Sequence, residues 1–229
     1  MKNKIISVVI PAYNEDQSIG KVVDAIDREL VNHVIVVNNN STDNTVLVAE
    51  KAGAIVLNET RKGYGWACLK GISKCEELKT EIIVFLDGDF SDYPEEIKDV
   101  IAPILKNDMD MVIGSRVLGK REKGSLTPQQ IFGNSLATKL IRLFYGAKFT
   151  DLGPFRAMKF EALQSLGMAD KTYGWTIEMQ IKAVKKKMKF CEVPVNYKRR
   201  IGVSKVSGTV KGTVLAGIKI IFAVFKYRF

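Results

Sequence analysis

One stretch of the sequence decides the fold: Ile82-Ile83-Val84-Phe85-Leu86-Asp87-Gly88-Asp89. Its apolar half has the length and composition of a strand buried on both faces, as in a parallel sheet covered by helices. Two carboxylates, Asp87 and Asp89, then flank a glycine where the strand ends. Because ligands bind at the carboxyl ends of the strands in open parallel sheets, we expect these carboxylates to lie in a binding site.

Similar apolar runs occur on both sides of this stretch and alternate with helical patterns. The predicted strands cover residues 5–10, 34–37, 54–57, 81–86 and 109–113. The predicted helices cover residues 19–30, 43–52, 65–75 and 131–145, with one more after Pro94. Ser41 or Thr42 is the expected N-cap of the second helix. This alternation predicts an α/β fold, with a Rossmann-like, mostly parallel sheet and helices on both faces.

Polar clusters follow four of the predicted strands, so they should meet along one edge of the sheet. They are Pro11-Ala12-Tyr13-Asn14-Glu15, Asn38-Asn39-Asn40-Ser41-Thr42-Asp43, Asp87-Gly88-Asp89-Phe90-Ser91-Asp92 and Gly114-Ser115-Arg116. The first cluster is not a G-x-G-x-x-G loop, and no G-x-x-x-x-G-K-[ST] loop occurs in the chain, which argues against a glycine-rich phosphate cradle. A cation held by Asp87 and Asp89 could neutralise phosphates instead. Mg²⁺ or Mn²⁺ fits, because it takes one or two carboxylates and completes its shell with phosphate oxygens and water.

The same motifs carry a resemblance to a known family. Residues 11–15, the S-T-D-N-T stretch of residues 41–45 and the pair of carboxylates at 87–89 resemble the nucleotide-binding region of glycosyltransferase family 2. The resemblance implies a GT-A fold, a sugar-nucleotide donor and an inverting displacement at the anomeric carbon. It implies that Asp89 is the catalytic carboxylate that ligates the metal, with Asp87 beside it. The residues that it implies for nucleotide-sugar binding are Pro11, Ala12, Tyr13, Glu15, Asn38, Asn39, Asp87 and Gly88.

One cluster departs from the family pattern. The second cluster of the family commonly reads Asp-Asp-Gly-Ser, whereas this chain has Asn38-Asn39-Asn40-Ser41. One of those aspartates usually accepts a hydrogen bond from the nucleobase. An amide can both accept and donate, so Asn38 or Asn39 could still contact the base edge. The substitution leaves the base open, and the donor is expected to be of the UDP-glucose or GDP-mannose type.

Later segments are similar to the bacterial branch of dolichyl-phosphate or polyprenyl-phosphate sugar synthases. These segments are residues 114–116, 132–134, 151–157, 173–179 and 199–205. The resemblance implies a lipid-phosphate acceptor. Such an acceptor is already an anionic nucleophile at neutral pH, so it needs nearby cations rather than a general base. The residues expected to hold the acceptor phosphate are Arg116, Arg199, Arg200, Ser204 and Lys205.

A saccharide or small-molecule hydroxyl acceptor is the alternative, and it would need a base. Glu178, on a helix that starts near Trp175, is the candidate for that role. Its other interpretation is a surface glutamate paired with Lys182 at the i,i+4 spacing of a helix. A nucleotidyltransferase is a weaker alternative, because it would need a glycine-rich, basic loop where residues 11–15 stand.

The net charge of +10 favours a polyanionic partner. Nucleic acid is not expected, because the chain lacks the interleaved aromatic and basic motifs of common RNA-binding modules. An anionic membrane surface is expected instead, because the segment 209–229 is apolar and carries lysines at 211, 219 and 226, on one stripe of a helix. Residues 1–208 are the predicted GT-A domain. Packing of the tail on that domain is the other possibility.

The expected membrane association is peripheral. No uncharged apolar run approaches the ~20 residues that a spanning helix needs, and no signal peptide is visible. The predicted location is the cytoplasm, at the cytoplasmic face of the membrane. We expect truncation after Ser207 to abolish membrane binding and to leave donor binding intact. The sequence leaves the sugar and the oligomeric state open.

Overall fold

The structure is a computed structural model that describes residues 4–203, 217, 219 and 221–228. Its strands are β1 (Ile6–Ala12), β2 (His33–Asn38), β3 (Ile55–Asn58), β4 (Ile82–Phe85), β5 (Met111–Ser115), β6 (Arg156–Lys159) and β7 (Phe190–Pro194). They form one seven-stranded sheet in the order β3-β2-β1-β4-β6-β5-β7. The α/β class and the five predicted strands are confirmed, and β6 and β7 are additional to the prediction.

The strand β6 runs against its two neighbours. It pairs antiparallel with β4, where Arg156 lies opposite Phe85, and with β5, where Arg156 lies opposite Ile113. All the other pairs of neighbouring strands are parallel. Two antiparallel steps restore the original direction, so β4 and β5 still point the same way. The carboxyl ends of β1, β2, β4 and β5 therefore meet at one edge of the sheet.

Helices cover both faces of the sheet, as predicted. They are α1 (Ile19–Asp24), α2 (Thr45–Lys51), α3 (Tyr64–Glu77), α4 (Ile97–Asn107), α5 (Pro128–Tyr145), α6 (Phe160–Leu166) and α7 (Trp175–Lys185). On one face, Val9 and Ile35 of the sheet pack with α3, α5, α6 and α7. On the other face, Val8 and Val36 pack with α1, α2 and α4. Each fully buried aliphatic side chain of this kind contributes roughly 1.5–3 kcal/mol to folding.

The predicted boundaries of two helices were wrong for local reasons. The helix α1 ends at Asp24 rather than near residue 30, because Asp27 Oδ1 accepts a hydrogen bond from the Glu29 amide at 2.9 Å. Such a side-chain to backbone bond competes with continued helix. The helix α2 has Asn44 as its N-cap rather than residue 41 or 42, and Asp43 Oδ1 accepts from the Thr45 amide of its first turn at 3.0 Å.

The described part of the C-terminal segment packs on α5. Residues 221–226 are helical, and Ala223 and Val224 are buried. The Tyr145 hydroxyl donates to the Val224 carbonyl, and the Phe144 and Phe225 rings lie 5.2 Å apart, centroid to centroid. Residues 209–216, 218, 220 and 229 of the predicted tail helix lie outside the described residues. Within the described chain, no helix is both long and apolar enough to span a membrane.

Candidate active site

A cleft of about 390 Å³ opens where β1, β2 and β4 end. It is lined by Pro11, Ala12, Tyr13, Glu15, Asn39, Lys62, Gly63, Tyr64, Ala67, Asp87, Gly88, Asp89, Thr172, Tyr173 and Arg200. The structure thus brings together the polar clusters that follow the first, second and fourth strands. This is the edge at which open parallel sheets bind their ligands.

The two carboxylates of the cleft are held by the turn that follows β4. Phe90 in this turn has φ of 60°. A bulky residue adopts this conformation only where the surrounding structure imposes it. The Ser91 amide donates to Asp89 Oδ1 at 3.0 Å, and the Ser91 hydroxyl donates to the same oxygen. Asp87, two residues earlier, accepts from the Tyr64 hydroxyl at 3.2 Å.

Carboxyl groups cluster around this turn. Burial raises the pKa of Asp87 to about 7, and the neighbouring carboxylate of Asp89 adds to the increase. Burial also raises the pKa of Asp92 well above its usual range. Within the described residues, neither carboxylate oxygen of Asp92 has a hydrogen-bond partner of ordinary geometry. Clustered carboxylates with few donors are a favourable environment for a bound cation.

Asp87 and Asp89 fit a divalent cation that shares its coordination shell with a ligand. In the part of the chain that the structure describes, no three His, Cys, Asp or Glu side chains are grouped so that they could hold a metal. The protein would therefore supply two carboxylates, which Mg²⁺ or Mn²⁺ accepts when phosphate oxygens and water complete the shell. The raised pKa of Asp87 agrees with this assignment, because a bound cation would stabilise its ionised form.

Arg200 pairs with one of these carboxylates, Asp89. Its Nη1 lies 3.1 Å from Asp89 Oδ2, and its Nη2 lies 3.1 Å from Glu15 Oε1. The Ile201 amide also donates to the Asp89 carbonyl at 2.9 Å, which fastens the two segments together. Arg200 was predicted to contact an acceptor phosphate, and the structure places it in the wall of the cleft. Lys62 is a second cleft cation, which the sequence argument missed.

The other predicted phosphate-binding residues do not reach the cleft within the described chain. Arg116 is nearly buried and pairs with Asp151 in a bidentate contact, through Nε at 2.8 Å and Nη2 at 2.7 Å. Burial opposes the charge on Asp151, yet Arg116 holds the pKa of that carboxyl below its usual value. Arg199 donates through Nε to a backbone carbonyl of the loop before α5. Ser204 and Lys205 lie outside the described residues.

The asparagine cluster after β2 has a structural reason for its departure from the family pattern. Asn39 lines the cleft, and its Nδ2 donates to the carbonyls of Glu59 at 3.0 Å and Arg61 at 2.8 Å. Its Oδ1 accepts from the Gly63 amide at 2.8 Å. An aspartate could accept but not donate, so it would lose both bonds to the segment after β3. Asn38 bonds to a neighbouring asparagine of β3 and does not line the cleft.

Two parts of the cleft were not predicted from the sequence. One is the segment Gly63–Gly65 at the start of α3, which lines the cleft through Gly63 and Tyr64, and the other is Thr172 with Tyr173 before α7. The two parts are in direct contact, because a Cβ at Gly63 or Gly65 would collide with the carbonyls of residues 170 and 171. The Gly-x-Gly spacing was the available signal, since paired glycines often mark a close approach of backbones.

Glu178, the candidate base, lies away from the cleft lining and is fully buried. Its carboxylate accepts from the Ala169 amide at 2.8 Å and from the Asp170 amide at 2.6 Å. Lys182 Nζ lies 2.7 Å away, and the Tyr227 hydroxyl donates at 2.7 Å. Burial favours the protonated form, but these donors hold the pKa of Glu178 below its usual value. The predicted ion pair with Lys182 is present, but in a buried network rather than on the surface.

The sheet and the carboxylate pair after β4 define a class of protein, the glycosyltransferases of the GT-A fold. A solved structure of glucosyl-3-phosphoglycerate synthase from Mycobacterium tuberculosis, in complex with Mn²⁺, UDP-glucose and phosphoglyceric acid, superposes on the chain with a TM-score of 0.80. The identity is 23%, over 98% of this chain and 80% of that chain. A similarity at this level establishes the fold.

The chain belongs to glycosyl transferase family 2, whose sequence model matches residues 7–167. An uncharacterized glycosyltransferase of Mycobacterium tuberculosis is 32% identical over 94% of this chain and 96% of its own length. The undecaprenyl-phosphate mannosyltransferase of Micrococcus luteus is 29% identical over 92% of this chain and 90% of its own. The UDP-N-acetylglucosamine–dolichyl-phosphate N-acetylglucosaminyltransferase of Methanococcus voltae is also 29% identical, over 85% and 86%. The protein is thus a hexosyltransferase of the branch similar to polyprenyl-phosphate sugar synthases.

Proposed function

We propose that this enzyme moves a hexose from a nucleotide-sugar of the UDP-glucose or GDP-mannose type to a polyprenyl or dolichyl phosphate, with inversion at the anomeric carbon. The observation that carries the acceptor class is the placement of Glu178, whose two oxygens are occupied by four donors away from the cleft. A hydroxyl acceptor needs a base, whereas a phosphate is already a nucleophile. The names of two relatives, for dolichyl and undecaprenyl phosphate, support the same choice.

The carboxylates of the cleft are consistent with a phosphate nucleophile. In the described residues they are Glu15, Asp87 and Asp89. Asp87 and Asp89 suit a metal, and Glu15 is paired with Arg200. Each cleft carboxylate thus has an electrostatic role that competes with accepting a proton from a hydroxyl.

The donor is proposed to lie along the cleft with its nucleoside against Pro11, Tyr13 and Asn39. Its diphosphate would then lie near Lys62 and Arg200, the cations of the cleft wall. The guanidinium of Arg200 carries two separate single contacts, so it can exchange one of them for a phosphate oxygen. A bound Mg²⁺ or Mn²⁺ would neutralise the charge on the diphosphate leaving group.

The acceptor phosphate is proposed to enter from the segment that carries Arg200. Arg200 is the predicted acceptor residue that the cleft contains, and Ser204 and Lys205 follow it closely in the sequence. Arg116 acts in another way in this proposal, because it holds Asp151 and the chain around β6 rather than a ligand.

The described tail supports a membrane-facing role. Phe222 is 60% exposed, and Ile221 and Phe225 are exposed beside it. Leu143 of α5, the helix on which the tail packs, is 73% exposed. Lys226 is also exposed on the same segment. Exposed apolar side chains flanked by cations suit the interface of an anionic membrane, and we place the enzyme at its cytoplasmic face.

A comparison of three acceptors tests the proposal. Calorimetric titration with UDP-, GDP- and dTDP-sugars, with and without Mn²⁺, first identifies the donor. Transfer is then measured to undecaprenyl phosphate, to undecaprenol and to 3-phosphoglycerate at equal concentrations. We expect product from undecaprenyl phosphate alone. Transfer to either hydroxyl compound, with none to undecaprenyl phosphate, would exclude the proposed acceptor class.

A further inference from the structure

The donor loop, residues 168–174 between α6 and α7, forms one wall of the cleft through Thr172 and Tyr173. Asp170 organises the loop from within, because its Oδ1 accepts from the Thr172 amide at 2.7 Å. The same oxygen accepts from the Gly174 amide at 3.1 Å, where α7 begins. The positions of the cleft residues in this loop therefore depend on where the backbone at residue 170 is held.

The donor loop also supports the cleft on its other side. The Lys171 carbonyl accepts from the Trp66 amide at 3.3 Å, and the segment Gly63–Gly65 at the start of α3 fits directly against the loop backbone. Tyr64 within this segment donates to Asp87. Movement of the donor loop would therefore change two walls of the cleft together and disturb a partner of the metal-site carboxylate.

Glu178 holds the donor loop from α7. Both of its oxygens are used for this purpose, one for the Ala169 amide and the other for the Asp170 amide. Bonds from backbone amides to a buried carboxylate are charge-assisted and are stronger than those between neutral groups. The carboxylate is thus an anchor for the loop.

Tyr227 connects this anchor to the C-terminal segment. Its hydroxyl donates to Glu178 Oε1, and its backbone carbonyl accepts from Lys185 Nζ at 2.7 Å. Lys182, which also binds Glu178, lies with its Nζ 5.2 Å from the centre of the Tyr227 ring. The C-terminal segment, which carries Phe222 on its outer face, therefore contacts Glu178, the residue that holds the donor loop.

We propose that Glu178 and Tyr227 are positioning residues, through which the packing of the C-terminal segment sets the donor loop and hence the affinity for the nucleotide-sugar. The inference rests on the proposed function only in that the cleft ligand is a nucleotide. It replaces the expectation that the tail can be removed without any effect on donor binding. The tail has two faces, an outer one with Phe222 and an inner one with Tyr227.

A pair of tyrosine variants in the full-length protein tests this role. Tyr227→Phe removes the hydroxyl that meets Glu178. Tyr145→Phe, the matched control, removes a hydroxyl that holds the same C-terminal segment through the Val224 carbonyl, without contact to Glu178. The affinities for UDP and GDP with Mn²⁺ are measured by calorimetry, and Tm is measured for both variants.

We expect Tyr227→Phe to raise the Kd of the nucleotide that binds by about 5- to 20-fold, within the usual range for coupling between sites. Tyr145→Phe should change this Kd less than about twofold, although both variants lower Tm by similar amounts, each through loss of one hydrogen bond. If Tyr227 had a purely structural role, Tyr227→Phe would lower Tm and leave the Kd of the nucleotide unchanged. Equal Kd values for the two variants would therefore overturn the inference.

Hydrogen exchange in the nucleotide-free protein separates this inference from the proposed function. Amides 169 and 170 should exchange faster in Tyr227→Phe than in Tyr145→Phe, because their acceptor loses a partner. Faster exchange without nucleotide binding by the wild-type protein would refute the proposed function and support the anchor. Unchanged exchange in Tyr227→Phe would refute the anchor, whatever the cleft binds.

Discussion

Burial disfavours the charge of two carboxylates of this enzyme, Asp87 and Glu178, yet their pKa values move in opposite directions. Asp87, at the end of β4, has a pKa raised to about 7 by burial and by the adjacent Asp89. Glu178, on α7, has a pKa below its usual value because four donors outweigh burial. Burial alone therefore does not decide the charge of a carboxyl group, and the supply of donors does.

The difference separates a binding group from a structural one. Glu178 has its positive partners within the protein, so its charge is compensated whether or not a ligand is present. Asp87 has one neutral donor, Tyr64, and a carboxylate as its neighbour, and the charges of Arg116 and Arg200 do not offset its burial. A cation brought from outside would stabilise its ionised form. We expect variants of the two regions to affect different measurable quantities.

The largest expected effect comes from removal of the metal-site carboxylate. Asp89→Ala should lower the rate of sugar transfer at least ~10³-fold, because metal stabilisation of a leaving group contributes several kcal/mol and 1.36 kcal/mol corresponds to tenfold in rate. EDTA should act in the same way on the wild-type protein. Asp99→Ala, an exposed carboxylate on α4, is the control. Full transfer by Asp89→Ala in excess Mn²⁺ would remove the metal from the mechanism.

The next effect is the pH dependence of metal binding. The pKa of Asp87 in the folded protein lies above the ordinary value of 3.8, so the folded state binds its proton more tightly than the unfolded chain does. The stability that this group contributes is present at low pH and is lost as pH rises through about 7. Metal requires the ionised form, so the Kd of Mn²⁺ should rise ~50-fold between pH 7 and pH 5.

Calorimetric titration of Mn²⁺ across this range measures the effect, and Asp87→Asn is the variant for comparison. The Kd of Mn²⁺ for this variant should be high at every pH and should depend little on pH. A wild-type Kd that stays constant between pH 7 and 5 would contradict the raised pKa.

The stability that Glu178 contributes depends on pH in the opposite direction, because the pKa of this group is lowered in the folded protein. Its contribution is present above the ordinary pKa of 4.5 and is lost as pH falls through the pKa of the folded state.

A smaller effect distinguishes anchoring from base catalysis at Glu178. An amide offers one acceptor oxygen where two backbone amides require acceptors, so Glu178→Gln should release part of the donor loop. We expect the donor Kd to rise roughly tenfold, within the usual range for coupled sites, and kcat at saturating donor to change less than threefold. Loss of a general base would instead lower kcat by ~10²- to 10⁴-fold with donor affinity unchanged. Glu161→Gln, an exposed glutamate on α6, is the matched control.

The smallest expected effect concerns the outer face of the tail. Phe222→Ala should weaken binding to anionic liposomes about fivefold at low salt, because less apolar surface is transferred from water into the membrane interface. Donor affinity should stay the same, in contrast to Tyr227→Phe. Sedimentation with liposomes measures the binding, and Leu47→Ala, at another exposed apolar position, is the control. If the wild-type protein ignores anionic liposomes at low salt, the membrane role is wrong.

Much of the fold could be predicted because its central strands are continuous apolar runs. The strand β6 was missed, because Arg-Ala-Met-Lys carries charges at both ends and has little pattern of its own. Its strand form depends on pairing with β4 and β5, a context that propensity cannot supply. β7 was also missed, because Phe-Cys-Glu-Val-Pro is short, lacks regular alternation and ends in a proline, which argues against a strand.

The cleft was predictable where its residues follow strands directly, and less so where tertiary packing supplies them. Asp87 and Tyr13 could be placed by the rule of strand ends alone. Thr172 reaches the cleft because Glu178 holds its loop, through bonds that no sequence pattern displays. Arg116 follows a strand as well, but Asp151, 35 residues later, occupies its guanidinium. A partner that is distant in sequence thus determines which arginine is available.

The reversed strand β6 also sets the distance between the ends of β4 and β5 at the sheet edge. Phe85 of β4 and Ile113 of β5 lie opposite the same residue of β6, so Asp87 and Ser115 stand at matching heights at the sheet edge. Two strand spacings, roughly 10 Å, separate them, because neighbouring strands lie about 4.8 Å apart. A direct β4–β5 pairing would halve that distance and bring the ion pair of Arg116 and Asp151 against the carboxylates that follow β4. One short strand inserted in reverse thus acts as a spacer between the cleft carboxylates and an ion pair that belongs to the protein interior.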